Sequence, residues 1–302
     1  MDVQVRGVRS VAIEMSDPAR AADFFTAVWN LDEVVRDGAS HYLRGTGPYH
    51  HILSIHPARH GAALRRITFD AADPGMVERL HGAVRDRGCD AEAPHALEGP
   101  GSGFGFGFVD PEGRNLAVAC DMDDHAVYGD VADRPRKIAH VNINAADVAA
   151  TSRFLVDVLG FRLIDETAGL IFFHCDNSDH NSIVVCRYSA PTLNHVAFEM
   201  PDLDSVMRGA GRMRERGYPI EWGVGRHGAG NNVFAYFCGP DELPIEYTGE
   251  VLQIDDSYVP HGPEFWRFAP GRADRWGVTN PHTARWKRVQ DVYRFVPGGH
   301  RL

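Results

Sequence analysis

Two histidines and a glutamate, His140, His195 and Glu246, stand out because the chain repeats itself and only its second copy carries them. Three segments recur at offsets of 130, 129 and 129 residues, and at the matching positions the first copy has Ser10, Arg66 and Ala117. Two imidazoles and one carboxylate can hold a divalent metal while leaving positions open for a substrate and dioxygen. A lone strand histidine is usually structural or exposed, and a lone buried glutamate is usually paired or hydrogen-bonded. Three such residues at repeat-equivalent places instead point to one shared metal site. Two further groups fall near it: His227, after the glycine-rich turn of GVGRHGAGNN, and Tyr236, just before the last strand-like run. His180, in HCDNSDHNS, lies at another turn. A neutral histidine suits acid–base work near pH 7, and a tyrosine can hydrogen-bond a developing oxyanion. Taken singly, both histidines are as readily turn or surface residues, and Tyr236 a packed strand residue.

The repeat also predicts the elements that must position these groups. LRRITFDAADPGMVERLHGAVRDRG (64–88) lies over LNHVAFEMPDLDSVMRGAGRMRERG (193–217), and FVDPEGRNLAVA (from 108) over FCGPDELPIEYT (from 237). Apolar alternation over His140–Ile143 reads as a strand, the amphipathic run Val148–Leu159 as a helix, and Leu170–Phe173 and Ser182–Cys186 as further strands. The expected class is α+β: two similar domains, each of paired βαβββ modules, with no glycine-rich phosphate turn of a dinucleotide fold. The N-terminal domain without metal ligands should span 1–122, the metal-binding domain 134–270, and a packing tail 271–302. The charged stretch Cys120–Pro135 reads as their connector. The tail's tryptophans suggest packing against a domain or a subunit.

A net charge of −10 disfavours non-specific binding to nucleic acid or anionic membrane, and no apolar run is long enough to cross a bilayer. The arginines of Arg208–Arg216 read as a solvated helix face. Five cysteines without metal-knuckle spacing, and a start without a secretory pattern, suit a reducing compartment; the expected location is the cytoplasm. In the first copy His50, His51, His56 and His60 invite a second-metal reading, against which clustered histidines in a polar loop are more readily surface residues. Phe172, Phe173, Phe234 and Trp222 could shape an aromatic pocket or equally belong to the core.

On the strength of the ligand trio and of GRHGAGNNVFAYFCGPDELPIEY (Gly225–Tyr247), the chain resembles the two-domain type I extradiol catechol dioxygenases of the vicinal oxygen chelate superfamily. In layout it is similar to the 2,3-dihydroxybiphenyl dioxygenases among them, over essentially its whole length. The resemblance implies that His140, His195 and Glu246 bind non-haem Fe(II), or Mn(II) as in some relatives. It implies that His227 hydrogen-bonds the substrate and that Tyr236 positions its hydroxyl. The reaction implied is insertion of both atoms of O2 into a catecholic substrate beside its vicinal hydroxyls; the terminal aromatics and the first domain, which lacks metal ligands, separately point to a homo-oligomer.

One correspondence divides. Many members carry two adjacent histidines in the turn after a cysteine, one of them the acid–base group, whereas here His180 is followed by Asn181. Counting forward from Cys175 puts His180 in that role, counting back from the strand SIVV puts Asn181 there, and His180 is the expected residue. A related metal-dependent isomerase, hydrolase or lyase of the superfamily is the alternative activity, and a non-enzymatic aromatic-ligand binder the alternative class.

Overall fold

Four aspartates start the four long helices, and they mark the repeat in the folded chain. Asp17, Asp73, Asp147 and Asp202 each cap a helix by accepting a backbone N–H three residues on, at 2.7–3.0 Å. The helices are α1 (Pro18–Ala27), α2 (Pro74–Asp86), α3 (Val148–Asp157) and α4 (Leu203–Glu215). The first and third leave through matched left-handed residues, Asn30 and Gly160, both at φ 72°. Asparagine and glycine are the residues that tolerate that conformation best.

The computed structural model describes residues 3–302. Strands β1 (Gly7–Met15), β2 (Asp32–Asp37), β3 (Ser40–Arg44), β4 (Leu53–Pro57), β5 (Ala63–Asp70), β6 (His95–Ala96), β7 (Phe104–Val109) and β8 (Asn115–Cys120) form one sheet in the order β2-β3-β4-β1-β5-β8-β7-β6. Strands β9 (Ile138–Ala145), β10 (Arg162–Glu166), β11 (Leu170–His174), β12 (Ile183–Arg187), β13 (Leu193–Met200), β14 (Trp222–Arg226), β15 (Val233–Cys238) and β16 (Pro244–Gly249) form a second in the equivalent order. Each domain is therefore two βαβββ modules, joined by an antiparallel pair of first strands, as the repeat predicts. Among the described residues, no helix is long and apolar enough to cross a membrane.

Alternation along the strands divides the second sheet into two faces. Val141 and Ile143 of β9, Val196 and Phe198 of β13, and Ile245 and Tyr247 of β16 enter the main apolar core, which also takes in the first sheet. Their neighbours His140, His195 and Glu246 face the other way. Tyr247 stacks on Trp29 of the N-terminal domain, with ring centroids 3.6 Å apart, and donates its hydroxyl hydrogen bond to the Trp29 carbonyl at 3.0 Å. The domains are also locked at Arg114, which is fully buried and binds Asp110, Glu112, the Asn144 carbonyl and Thr151.

After Gly249 the chain leaves the sheet, and most of its remaining residues lie on that second face before the last few cross to β5. Asp274, with no exposed surface, gathers the backbone N–H groups of Trp276, Gly277, Val278 and Thr279. Helix α5 (Ala284–Val289) comes next, capped by Thr283, and buries Trp286. The tail is thus pinned as firmly as a regular element.

Trp29 reaches across the interface onto the strand that carries Glu246, so truncating it opens a cavity under that strand. Trp29→Ala should cost roughly 3–5 kcal/mol of stability, read as a shifted midpoint in urea denaturation at an unchanged slope.

Candidate metal centre

The three expected ligands converge. His195 Nε2 lies 3.0 Å and His140 Nε2 3.4 Å from Glu246 Oε2, and the two imidazole nitrogens are 3.3 Å apart. Neighbouring donors at right angles on an ion with bonds of about 2.1 Å stand about 3.0 Å apart, so the trio has the spacing of one face of a coordination shell. All three residues are buried, Glu246 completely. Both Glu246 carboxylate oxygens are shut from solvent without a hydrogen-bond donor. His195 Nδ1 lies 2.9 Å from Asn194 Oδ1, which orients the ring with its Nε2 lone pair toward the other two ligands.

The electrostatics agree. Burial lowers the pKa of His195 and keeps the ring neutral at pH 7, outweighing the Glu246 carboxylate beside it. For Glu246, burial pushes the other way, yet His140 and His195 beside it hold its carboxyl well below the usual range. A buried carboxylate facing two imidazole nitrogens is a strong binding site for a divalent cation.

His140 and His195 line a cavity of about 540 Å³, with Glu246 fully buried beside them. His227, held at the end of its turn by a backbone bond to Asn232, brings its Nε2 to 2.9 Å from the Tyr236 hydroxyl and 4.0 Å from Glu246. Burial drops the His227 pKa to about 4. The Tyr236 phenol is raised well above its ordinary value by burial and by the Glu246 charge, so both groups are neutral at pH 7.

His180 does not take the place expected for it. The side chain that lines the cavity is Asn181, while His180 is fully buried behind it. His180 Nε2 lies 2.7 Å from Asp165 and Nδ1 3.0 Å from Asn181 Oδ1. Asp165 is held in turn by the Tyr258 hydroxyl and the His261 backbone. The count back from β12 gives the right register, because consecutive residues entering a strand point to opposite faces. Of the aromatics, Phe172 and Trp222 line the cavity, Phe173 belongs to the core, and Phe234 stacks beneath His227 at 4.0 Å.

Sequence reasoning missed the asparagines Asn142, Asn194 and Asn232 in the lining, and the tail's contribution to it. Alternation along β9 could have found Asn142, two residues from His140, whereas Asn194 shares the face of its neighbour His195 only because β13 is irregular there. Trp266, Phe268, His282 and Trp286 come from a stretch with no strand or long-helix periodicity to betray its path.

The N-terminal domain retains a cleft in the same place. Its register is identical: Ser10 and Ala117 both pair with Thr68, as His140 and Glu246 both pair with Ala197. Of its clustered histidines, His60 is exposed as expected, but others are not surface residues. His51 is buried, His56 is half-buried between Ser40 and Ser54, and both line the cleft. Among the described residues, they join no group that could hold a metal.

A scan of protein families matches residues 137–247 to the Glyoxalase/Bleomycin resistance protein/Dioxygenase superfamily. The Mn(II)-bound glyoxalase of Novosphingobium aromaticivorans is 31% identical in sequence, superposes with a TM-score of 0.87, and covers 98% of this chain and 97% of its own. The chain belongs to that superfamily, with extradiol dioxygenases among its relatives. The manganese-dependent 2,3-dihydroxybiphenyl 1,2-dioxygenase of Geobacillus genomosp. 3 is 24% identical over 87% of this chain and 96% of its own. Metapyrocatechase 2 of Cupriavidus necator is 34% identical over 153 residues, a stretch that spans 46% of that relative.

Removing the anionic ligand tests the centre without any assay of turnover. Glu246→Gln keeps the shape of the site but should weaken Fe(II) or Mn(II) binding by more than about tenfold, since even outer partners of metal ligands contribute that much. Elemental analysis after equilibrium dialysis reads it directly.

The N-terminal histidines give a pH signature. Burial lowers the pKa of His51 and His56 from 6.5 to about 3. Between those values the unfolded chain binds more protons than the native one. Stability should therefore fall as pH is lowered from 6.5 toward 3, on the order of 1 kcal/mol per pH unit. His51→Asn should flatten the dependence in urea denaturations between pH 7 and 5.

Proposed function

We propose that the protein is an extradiol ring-cleaving dioxygenase that inserts both atoms of O2 into a catecholic substrate, with His140, His195 and Glu246 holding Fe(II) or Mn(II). The observation that carries this reading is the buried trio whose two histidines open onto a 540 Å³ cavity, with the neutral His227–Tyr236 pair beside it. Bound there, the metal would supply Lewis acidity and one-electron redox chemistry between a chelated diol and O2. The donor set suits either ion, and the Novosphingobium and Geobacillus relatives both carry manganese in their names.

The chain's own groups define what surrounds that chemistry. Tyr236, kept a phenol, donates its O–H to a substrate oxygen near Glu246. Neutral His227, at Nε2, accepts either from Tyr236 or from the diol as its hydroxyl loses a proton. Trp222, Phe172 and Trp266 offer flat apolar surfaces for an aromatic ring. The metal-dependent bacterial relatives support a soluble enzyme acting in the cytoplasm, and the aromatic tail supports a homo-oligomer.

Asn181 separates this chain's chemistry from a site with a base at that wall. With its Oδ1 toward His180, its amide N–H groups can donate into the cavity, but a carboxamide accepts no proton at neutral pH. His180 is one residue too deep to substitute for it. The second reading is a related metal-dependent isomerase, hydrolase or lyase of the superfamily, which the glyoxalase name of the Novosphingobium relative supports.

Oxygen uptake decides between them. Protein loaded anaerobically with Fe(II), or with Mn(II), should consume one O2 per catechol and give a yellow product heavier by two oxygen atoms. Binding of catechols without uptake, with either metal, would reject the dioxygenase. Asn181→His should raise single-turnover ring cleavage by about tenfold or more, as a positioned acid–base group contributes at least that.

A further inference from the structure

The cleft of the N-terminal domain has kept its hollow and changed its charge. A duplicate site that had decayed into scaffold would be expected to fill with apolar side chains, because empty or polar interiors cost stability. This one instead encloses about 180 Å³, lined by Ser10, Ser54, Thr68, His51, His56 and the two arginines Arg65 and Arg66. Three of these stand at positions where the other cleft carries different chemistry. By the register of the sheets His51 stands where Asn181 stands, Ser54 where Val184 does, and Arg66 where the ligand His195 does.

Arg66 is the centre of the argument. Its Nη1 donates to the carbonyls of Gly299 at 3.2 Å and Arg301 at 2.8 Å. Its Nε is shut from solvent with no acceptor, and no carboxylate of the described residues comes within ion-pairing distance. Arg65, by contrast, has Glu14 at 3.8 Å. Burial pulls the Arg66 pKa down to about 10, the mark of a guanidinium whose charge is not compensated. Arg66 is half-buried, and a guanidinium that lacks a carboxylate partner while lining a hollow matches the charge of one. The one acidic residue of the lining, Glu98, is exposed. Tyr42, Leu97 and Met122 add apolar surface to the wall, the chain's last residues Arg301 and Leu302 close another side, and about 150 Å³ is room enough for a benzene ring.

We propose that this cleft is a second, metal-free binding site, specific for a small organic carboxylate, in which the Arg66 guanidinium takes the electrostatic place that a cation has in the other domain. The proposal stands on the N-terminal domain alone and does not depend on the activity of the C-terminal one.

The test is calorimetric titration of the metal-loaded full-length protein with sodium benzoate and, separately, with sodium phosphate, at ionic strength fixed with sodium chloride. One benzoate per chain should bind, and more tightly than phosphate. Arg66→Gln should weaken benzoate by about tenfold or more, the loss expected for a charge-assisted hydrogen bond. Because Arg66 also holds the tail, a second variant leaves it in place: Ser10→Leu fills the hollow and should abolish binding. Glu246→Gln, which disables the other cleft, should leave benzoate affinity unchanged. Binding that survives in Ser10→Leu or disappears in Glu246→Gln would put the ligand at the metal centre and overturn the proposal. Absence of benzoate binding in the unaltered protein, or phosphate binding without it, overturns it equally.

Discussion

A carboxylate enclosed in a protein with neither oxygen satisfied is tolerable only beside a cation, and Glu246 is held in that condition by everything around it. It sits on β16 between β13 and β15, where the ladder fixes its backbone on both sides. Ile245 and Tyr247 flank it on the core side and prevent the strand from rotating the carboxylate toward water. Trp29 closes the underside by stacking on Tyr247, which gives the N-terminal domain a part in the geometry of a site it does not line. Trp286 closes another approach, its ring 6.2 Å from that of His195 and 4.9 Å from that of Tyr236. The neutral state of His227 and of Tyr236 follows from the same enclosure.

The two domains show how one backbone accommodates opposite chemistries. The paired first strands project side chains from the same register points into both clefts, and the identity of three residues decides what each can hold. His140, His195 and Glu246 leave lone pairs and a negative charge; Ser10, Arg66 and Ala117 leave a positive one. The interface itself keeps the symmetry of the duplication. Glu112 accepts the N–H groups of Ala146 and Asp147 at the start of α3, and Asp241, 129 residues later, accepts that of Ser16 at the start of α1. Arg114 has no charged counterpart, since Leu243 stands at its equivalent position, so the ionic lock lies on one side only.

The repeat made most of this legible in the amino-acid order itself. Aligned offsets carried the module count, the strand containing each ligand and the convergence of residues more than fifty positions apart. Alternation then assigned faces, because a strand's side chains change side with every residue. That rule also explains the one misplacement among the catalytic candidates. Between Cys175 and β12 lies a turn, where counting forward accumulates an error that counting back from the strand avoids. A slip of one residue exchanges His180 for Asn181 and a cavity position for a buried one. The tail was opaque for a different reason. Its order comes from Asp274 collecting backbone amides and from α5 docking one tryptophan, and neither device leaves a periodic trace.

The buried position of His180 makes sense of the residue that replaces it at the cavity. An asparagine side chain is free to rotate and presents a donor and an acceptor almost interchangeably. His180, held by Asp165 on one ring nitrogen, lies with the other 3.0 Å from Asn181 Oδ1, which leaves the amide nitrogen free to face the cavity. Tyr258 and the His261 backbone hold Asp165, so the orientation of Asn181 is set by a chain of groups that begins in the tail. The wall opposite a simple base–substrate contact is thereby a fixed hydrogen-bond donor. On the proposed reading, a group that donates but cannot take up a proton would stabilise negative charge on a bound oxygen without discharging it, and would leave proton transfer to the His227–Tyr236 pair.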